Sequence, residues 1–231
     1  MRLEIFPVEG LPEIGRGDDL AGMIIDSVEL AQHDILVVTQ KIVSKAEGAM
    51  IEIDANDPLS HKPIVERESV RILRRRGELI ISQTKHGFVC ANAGIDLSNV
   101  ERGQAALLPD DSDRSARRIR DAIKGRLGLD VGVIISDTFG RPWRRGVTDV
   151  AIGTAGVKSI LDLRGTPDAL GREMQVTEVA LVDELACAAE LAMGKPTGVP
   201  VAVIRGGSAD WFGESSVQDD LVRDPQDDLF R

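Results

Sequence analysis

Residues 133–154, VIISDTFGRPWRRGVTDVAIGT, concentrate groups able to do chemistry: Asp137, Thr138, Arg141, Arg144 and Arg145, with Asp149 and two glycines beyond. The aliphatic run before them reads as a buried strand that stops at Ser136-Asp137-Thr138 and opens into an arginine-bearing loop. Carboxylate and hydroxyl oxygens suit a hard cation such as Mg²⁺, which shares its coordination shell with substrate phosphates. Arginine presents a planar fork that matches phosphate oxygens, which lysine cannot reproduce. An isolated Asp–Arg loop is as readily a solvated turn with surface ion pairs. The density of polar groups directly after a buried strand favours a site.

Other clusters are weaker on their own. Leu11-Pro12-Glu13-Ile14, shortly before Gly17, is either a turn whose amides face a ligand or an ordinary proline–glycine turn. Lys41 and Lys45 stand four apart just beyond an apolar run; on a helix they share a face and could hold phosphates, or they are two surface lysines. Asp96 and Asn99 follow Gly94 in a small-residue loop. Asp96 could join Asp137 and Thr138 around divalent cations, although Asx residues also cap turns locally. Asp162-Leu163-Arg164-Gly165, with Asp168, forms a further acidic–basic turn. His33 and His61 sit in polar contexts and are expected to be exposed, whereas His86 precedes the suspected 87–94 segment. No serine or cysteine nucleophile pattern accompanies a histidine, so no triad is read. Gly194-Lys195 leads into Pro196 without the earlier glycine of a Walker A loop, and no G-x-G-x-x-G follows a strand. A nucleotide would need a different cradle.

The elements that must position these groups are expected as follows. Strands are read at residues 3–8, 34–39, 78–82 and 199–204, and helices at 20–30 (capped by Asp18 or Asp19), 64–76, 113–127 and 177–193. The Arg74-Arg75-Arg76 triplet is read as the basic C-terminal end of the second helix, and Gly194 as the residue just past the last one. Residues 54–63 are read as a loop, and Arg117, Arg118, Arg120 and Lys124 as a solvated helix face. The acidic tail, residues 219–231, is expected to be ordered only by a partner or a second subunit. Strands and helices mix without strict alternation, which makes the class α+β.

Composition narrows the possible functions. At 231 residues the chain can form one large domain or two small intertwined ones, and 42% apolar residues supply a sizeable core. Five Phe, two Trp and no Tyr leave few stacking platforms for single-stranded nucleic acid. A formal charge of −10 argues against a nucleic-acid or anionic-membrane surface. A phosphorylated ligand remains compatible with it, given local positive charge or bound cations. Cys90 and Cys187 lack metal or redox spacing and read as free thiols of a reducing cytoplasm. No signal peptide or membrane span is read, so a cytoplasmic location is expected.

Seven blocks occur in order along nearly the whole chain: LPEI at 11–14, GDDLA at 17–21, TQKIVSKAEG at 39–48, HGFVCANAGIDLSNV at 86–100, ISDTFGRPWRRGVTDVAIGTAG at 135–156, TEVALVDELACAAELAMGK at 177–195 and PVAVIRG at 200–206. With these the chain resembles the coenzyme F420-0:γ-glutamyl ligase (CofE) family, which also forms the amino-terminal half of the two-domain actinobacterial enzyme FbiB. The resemblance implies a GTP-dependent ligase that joins L-glutamate to F420-0 through an acyl phosphate and can extend a γ-linked glutamate tail. It implies Mg²⁺ or Mn²⁺, two per site, with K⁺ as a stimulating cation. Leu11, Pro12, Glu13, Ile14, Gln40, Lys45 and Asn99 correspond to GTP contacts, and Asp96, Asp137 and Thr138 to metal ligands. Arg141, Arg144 and Arg145 are candidates for substrate or phosphate contacts or for a dimer interface; no general base is assigned. The expected architecture is an intertwined homodimer in which residues 1–231 form a single ligase domain, without the nitroreductase-like domain of FbiB. Two other readings are a relative acting on a different carboxylate acceptor and a non-catalytic GTP- and metal-binding regulator.

Overall fold

Two uninterrupted aliphatic runs dictate the centre of the molecule, because neither offers a polar face to water and both must be covered on two sides. They form β2 (Ile35–Thr39) and β8 (Gly132–Gly140), paired in parallel with Thr39 opposite Ser136. The computed structural model describes residues 1–229 and places these strands inside a five-stranded sheet. β12 (Val201–Arg205) runs antiparallel to β2, β1 (Glu4–Pro7) antiparallel to β12, and β9 (Val147–Ala155) antiparallel to β8. Strand alternation splits the core in two. Leu36, Val38, Val133, Ile135 and Val203 pack beneath α1 (Leu20–Ser27) and α4 (Ser112–Leu127), while Ile35, Val37, Ile134 and Ile204 pack beneath α5 (Leu181–Met193).

Smaller elements surround this three-layer body. α2 (Gln40–Glu47) follows β2 without a linker, and β3 (Met50–Glu52) pairs with β7 (Gln104–Ala106). β4 (Ser69–Arg76), β5 (Leu79–Thr84) and β6 (Val89–Ala91) form an antiparallel three-stranded sheet, and α3 (Lys62–Glu68) shares with it a small core of Val65, Ile80 and Ala93. β10 (Leu161–Asp162) pairs with β11 (Glu178–Val179). Separate antiparallel sheets beside a mixed one make the class α+β, as expected.

Several element expectations need correction. The helix read over 64–76 ends at Glu68, and Ser69–Arg76 is strand. Val70, Ile72 and Leu73 suit a pleated surface, and antiparallel pairing with β5 outweighs the helical spacing of the segment. Arg74, Arg75 and Arg76 therefore sit on an exposed edge strand, where Arg75 pairs with Glu66, and do not complement a helix terminus. The last long helix starts at Leu181 because Glu178 and Val179 are taken by β10. The first stops at Ser27, with Asp19 capping it through the Gly22 amide. β8 does not stop at Ser136 but continues to Gly140, pairing with β9 throughout. Arg120 is not solvated, since it bridges Asp121 and Glu214. His61 is buried, contrary to its polar neighbours. The start of the acidic tail is ordered by the chain itself: Val217 and Gln218 donate their amides to the buried carboxylate of Asp113. Phe230 and Arg231, the end of that tail, lie outside the described residues.

Candidate active site

The parallel pair β2–β8 ends at Thr39 and Ser136, and a cleft of about 880 Å³ opens beyond these carboxyl ends. That is the usual place for a ligand on an open sheet with a parallel pair. Immediately past the Ile135 pairing, the β8–β9 register slips by one residue, leaving Ile152 as a bulge. A bulge sharpens the local twist and re-aims side chains, and this one lies next to Ser136, Asp137 and Thr138.

Ten residues singled out above line this one cleft: Leu11, Pro12, Glu13 and Ile14 from the first loop, Gln40 and Lys45 from α2, Asp96 and Asn99 from the loop after β6, and Asp137 and Thr138 from β8. Helical spacing does put Lys41 and Lys45 on the same wall. Lys45 pairs with Glu13, tying α2 to the first loop, and Lys41 lies 2.8 Å from Asp96 Oδ2 and donates to Ser98 Oγ at 2.9 Å. Gln40 is a wall residue whose amide nitrogen donates to Ser44 Oγ and to the Leu107 carbonyl. Asn99 takes a left-handed backbone at φ 52°, which asparagine tolerates better than most residues.

The acidic groups differ in how they are balanced. Burial raises the Asp96 carboxyl, but hydrogen bonds from Lys41 and Ser98 outweigh it and hold it below the ordinary range. Burial, with the charges of Asp96 and Asp149, outweighs the Thr138 amide at 2.8 Å and the weaker pull of the Lys41 charge, and pushes Asp137 up to about 7. Five carboxylates and three ammonium groups line the cleft, so its floor carries excess negative charge. Oxygen donors left with uncompensated charge are what a hard divalent cation selects. Among the described residues, however, no three carboxylate, imidazole or thiolate groups converge as a ready-made metal centre. Lysines occupy two of the aspartates instead: Lys41 at Asp96, and Lys195 at Asp149 at 2.6 Å. The donor set thus fits cations that arrive together with an anionic ligand able to draw those lysines away.

Arg141, Arg144 and Arg145 are not brought into this cleft. All three are exposed at the tip of the β8–β9 hairpin, where Arg141 donates to the Arg145 carbonyl at 3.0 Å. Sequence reasoning assigns no role to Asp149, Lys195 or Glu190, which line the same cleft. Asp149 could have been found from hairpin pairing, since it stands directly opposite Thr138. Nothing local marks Lys195 or Glu190, which arrive through the packing of α5 beneath the sheet. His86 stays behind the cleft wall, stacked on Phe88, which in turn meets Phe139 edge-on. Cys90 lines the cleft, but burial and the charge of Asp137 push its thiol up to about 12, so it is no nucleophile. Asp162 and Arg164 form an ion pair away from the cleft, and Asp168 accepts the Leu170 and Arg172 amides of its own turn.

Comparison with known proteins shows the family. The family model for F420-0:Gamma-glutamyl ligase matches residues 10–206, a span that includes every described cleft residue. The coenzyme F420:L-glutamate ligase of Methanopyrus kandleri is 42% identical, over all of this chain and 98% of its own length. The enzymes of the same name from Methanothermobacter thermautotrophicus and Archaeoglobus fulgidus are 41% and 42% identical over all of this chain and 100% and 97% of theirs. With a full-length likeness of that degree and a family match extending across the whole cleft, the chain belongs to the F420-0:γ-glutamyl ligase family.

Proposed function

We propose that the chain joins L-glutamate to coenzyme F420-0 by an amide bond at the expense of GTP, and can repeat the step to build a γ-linked tail. Family membership makes it a ligase, and its relatives, coenzyme F420:L-glutamate ligases, supply the substrates of this reading. The observation that carries the GTP and metal reading is the convergence of Leu11–Ile14, Gln40, Lys45, Asn99, Asp96, Asp137 and Thr138 on one acidic cleft. Three lysines do not balance five carboxylates, so bound cations would offset the charge that a phosphate chain adds.

In this reading a carboxylate oxygen of F420-0 attacks the γ-phosphorus of GTP, and the bond to the β-phosphate oxygen breaks to release GDP. The resulting acyl phosphate is attacked at its carbonyl carbon by the glutamate amine. The C–N bond forms, the C–O bond to phosphate breaks, and the amine loses a proton to solvent. Lys41, Lys45 and Lys195 place positive charge along the walls where phosphate oxygens would lie. Asp96, Asp137 and Thr138 would hold Mg²⁺ or Mn²⁺, which when bound neutralises phosphate charge. K⁺ stimulation, a cytoplasmic location and a homodimer belong to the same proposal. Support for the dimer comes from exposed apolar side chains, Val70 and Leu73 on the edge strand β4 and Leu170 and Val176 on the 163–177 arm. No helix among the described residues is long and apolar enough to cross a membrane.

The test is to incubate the protein with F420-0, L-glutamate, GTP and Mg²⁺ or Mn²⁺ and weigh the deazaflavin by mass spectrometry. A GTP-dependent gain of one or more glutamyl units supports the reading and reports chain length. GTP binding without any gain points to another acceptor or to a regulator.

A further inference from the structure

Asp149 lines the cleft but is 2% exposed, and its side chain is held between Thr138, Ser136 and Lys195. Its Oδ1 accepts from Thr138 Oγ1 at 2.7 Å and from Lys195 Nζ at 2.6 Å, and its Oδ2 lies 3.4 Å from Ser136 Oγ. Lys195 Nζ also donates to Thr138 Oγ1, at 2.6 Å. A threonine hydroxyl has one proton and two lone pairs. A carboxylate oxygen paired to an ammonium can only accept, so the Thr138 proton is directed to Asp149. One lone pair takes the lysine proton and the other is left free; an anionic ligand that draws Lys195 away frees the first as well, while the hydroxyl proton stays directed to Asp149.

From this hydrogen-bond count we infer that Asp149 is a positioning residue that holds the Thr138 hydroxyl with one lone pair turned to the cleft, presenting it to the divalent cation. The inference rests on the reading of Thr138 as a metal ligand. The device is built into the sheet: Thr138 and Asp149 are directly paired residues of β8 and β9, just past the bulge at Ile152. A further tie keeps Asp149 from drifting, because the Cys187 thiol of α5 donates to its backbone carbonyl at 3.0 Å. Partners that orient a metal's direct ligands typically contribute about 10–100-fold in metal affinity or activity.

The test is a double-mutant cycle read as Mn²⁺ affinity, by electron paramagnetic resonance on the full chain in the presence of GDP, with no turnover required. Thr138→Val should weaken Mn²⁺ binding, Asp149→Asn should weaken it by about tenfold or more, and the double variant should bind no worse than Thr138→Val alone. An amide can donate as well as accept, so asparagine releases the hydroxyl proton at almost unchanged volume. If Asp149→Asn does not fold, Asp149→Ser replaces it, since its hydroxyl also donates and accepts. An unchanged Mn²⁺ affinity in the Asp149 variant, or losses that simply add in the double variant, overturns the inference while leaving Thr138 as a ligand. An unchanged affinity in Thr138→Val overturns the metal reading itself.

Discussion

Lys41 Nζ lies 2.8 Å from Asp96 Oδ2, so an ammonium group occupies the carboxylate assigned to a metal. The pair joins α2 to the loop after β6 and keeps Asp96 ionised. A cation arriving alone must displace Lys41 and strand its charge. A cation arriving with a phosphate chain gives Lys41 a new partner. Metal and nucleotide binding are therefore expected to reinforce each other, by about tenfold or more, with the same factor in either order of addition. Lys41→Met should bind Mn²⁺ more tightly than the wild type without nucleotide and should lose most of the coupling. Calorimetric titration of Mn²⁺ with and without GDP checks this; equal coupling in both proteins would show that the ion pair does not gate the site.

Asp137 is the carboxylate that no lysine pairs with directly, and the nearby charge of Lys41 offsets only a small part of its strain. Burial and the charges of Asp96 and Asp149 raise it to about 7, so the metal-free protein holds an unfavourable charge there. Asp137→Asn removes that repulsion at nearly constant shape. The variant should fold, melt at a higher temperature than the wild type in chelator at pH 8, and lose most of its turnover; Asp137→Ala should likewise fold and lose most turnover. Function and stability moving in opposite directions is the signature of a residue retained for chemistry. A variant with near-normal activity would remove Asp137 from the metal site.

The site was more legible in the sequence than the elements that carry it. Asp96, Asp137 and Thr138 could be suspected from residue type beside apolar strands, and the family resemblance joined them to Leu11–Ile14 and Lys45. Distances in sequence gave no way to see that these segments meet, because they are brought together by the carboxyl ends of β2 and β8 and by the turn of α2. The segment 69–76 was misread because basic and aliphatic residues at helical spacing also fit an exposed edge strand, and only the pairing with β5 decides. The role of Asp149 is hidden for a related reason. Its role is a cross-strand relation to Thr138, fixed by a bulge that composition does not announce.

At the opposite end of β12 from the cleft, Arg205 makes two bonds to the fully buried Asp34, Nε to Oδ1 at 2.8 Å and an Nη to Oδ2 at 2.7 Å. Asp34 also accepts the Ala31 amide, so it organises the turn that leads into β2. Arg205→Leu leaves a buried carboxylate without its counter-ion, which typically costs about 3–5 kcal/mol. Urea unfolding should show that loss in full, while turnover per folded molecule at low temperature stays close to wild type. A loss under about 1 kcal/mol would mean that water replaces the guanidinium, as at an exposed pair.

Two histidines give the fold a dependence on pH that is separable from the site. His61 is held below its ordinary pKa by burial and by the neighbouring Lys62, and His86 by burial and by Lys85. Aspartates face both, Asp57 near His61 and Asp110 near His86, but they do not reverse the shift. A histidine whose folded pKa lies below its unfolded value of about 6.5 stays neutral in the native state while the unfolded chain takes up a proton. Its contribution is complete above about pH 6.5 and is lost as the pH falls from there through the lower folded value. Asp137 acts in the opposite sense, since protonation relieves its repulsion, so the slope of wild-type stability alone is ambiguous. The difference between proteins is not. The ring nitrogens of His86 make no well-aligned hydrogen bond among the described residues and have only the backbone of Pro109 and Asp110 nearby, which makes His86→Phe a conservative probe; His61→Gln is the companion. Between pH 7.5 and 5.5, values chosen to bracket the roughly 6.5 pKa of unfolded histidine, the melting temperature of the double variant should fall less than that of the wild type. Parallel curves would place the acid sensitivity elsewhere.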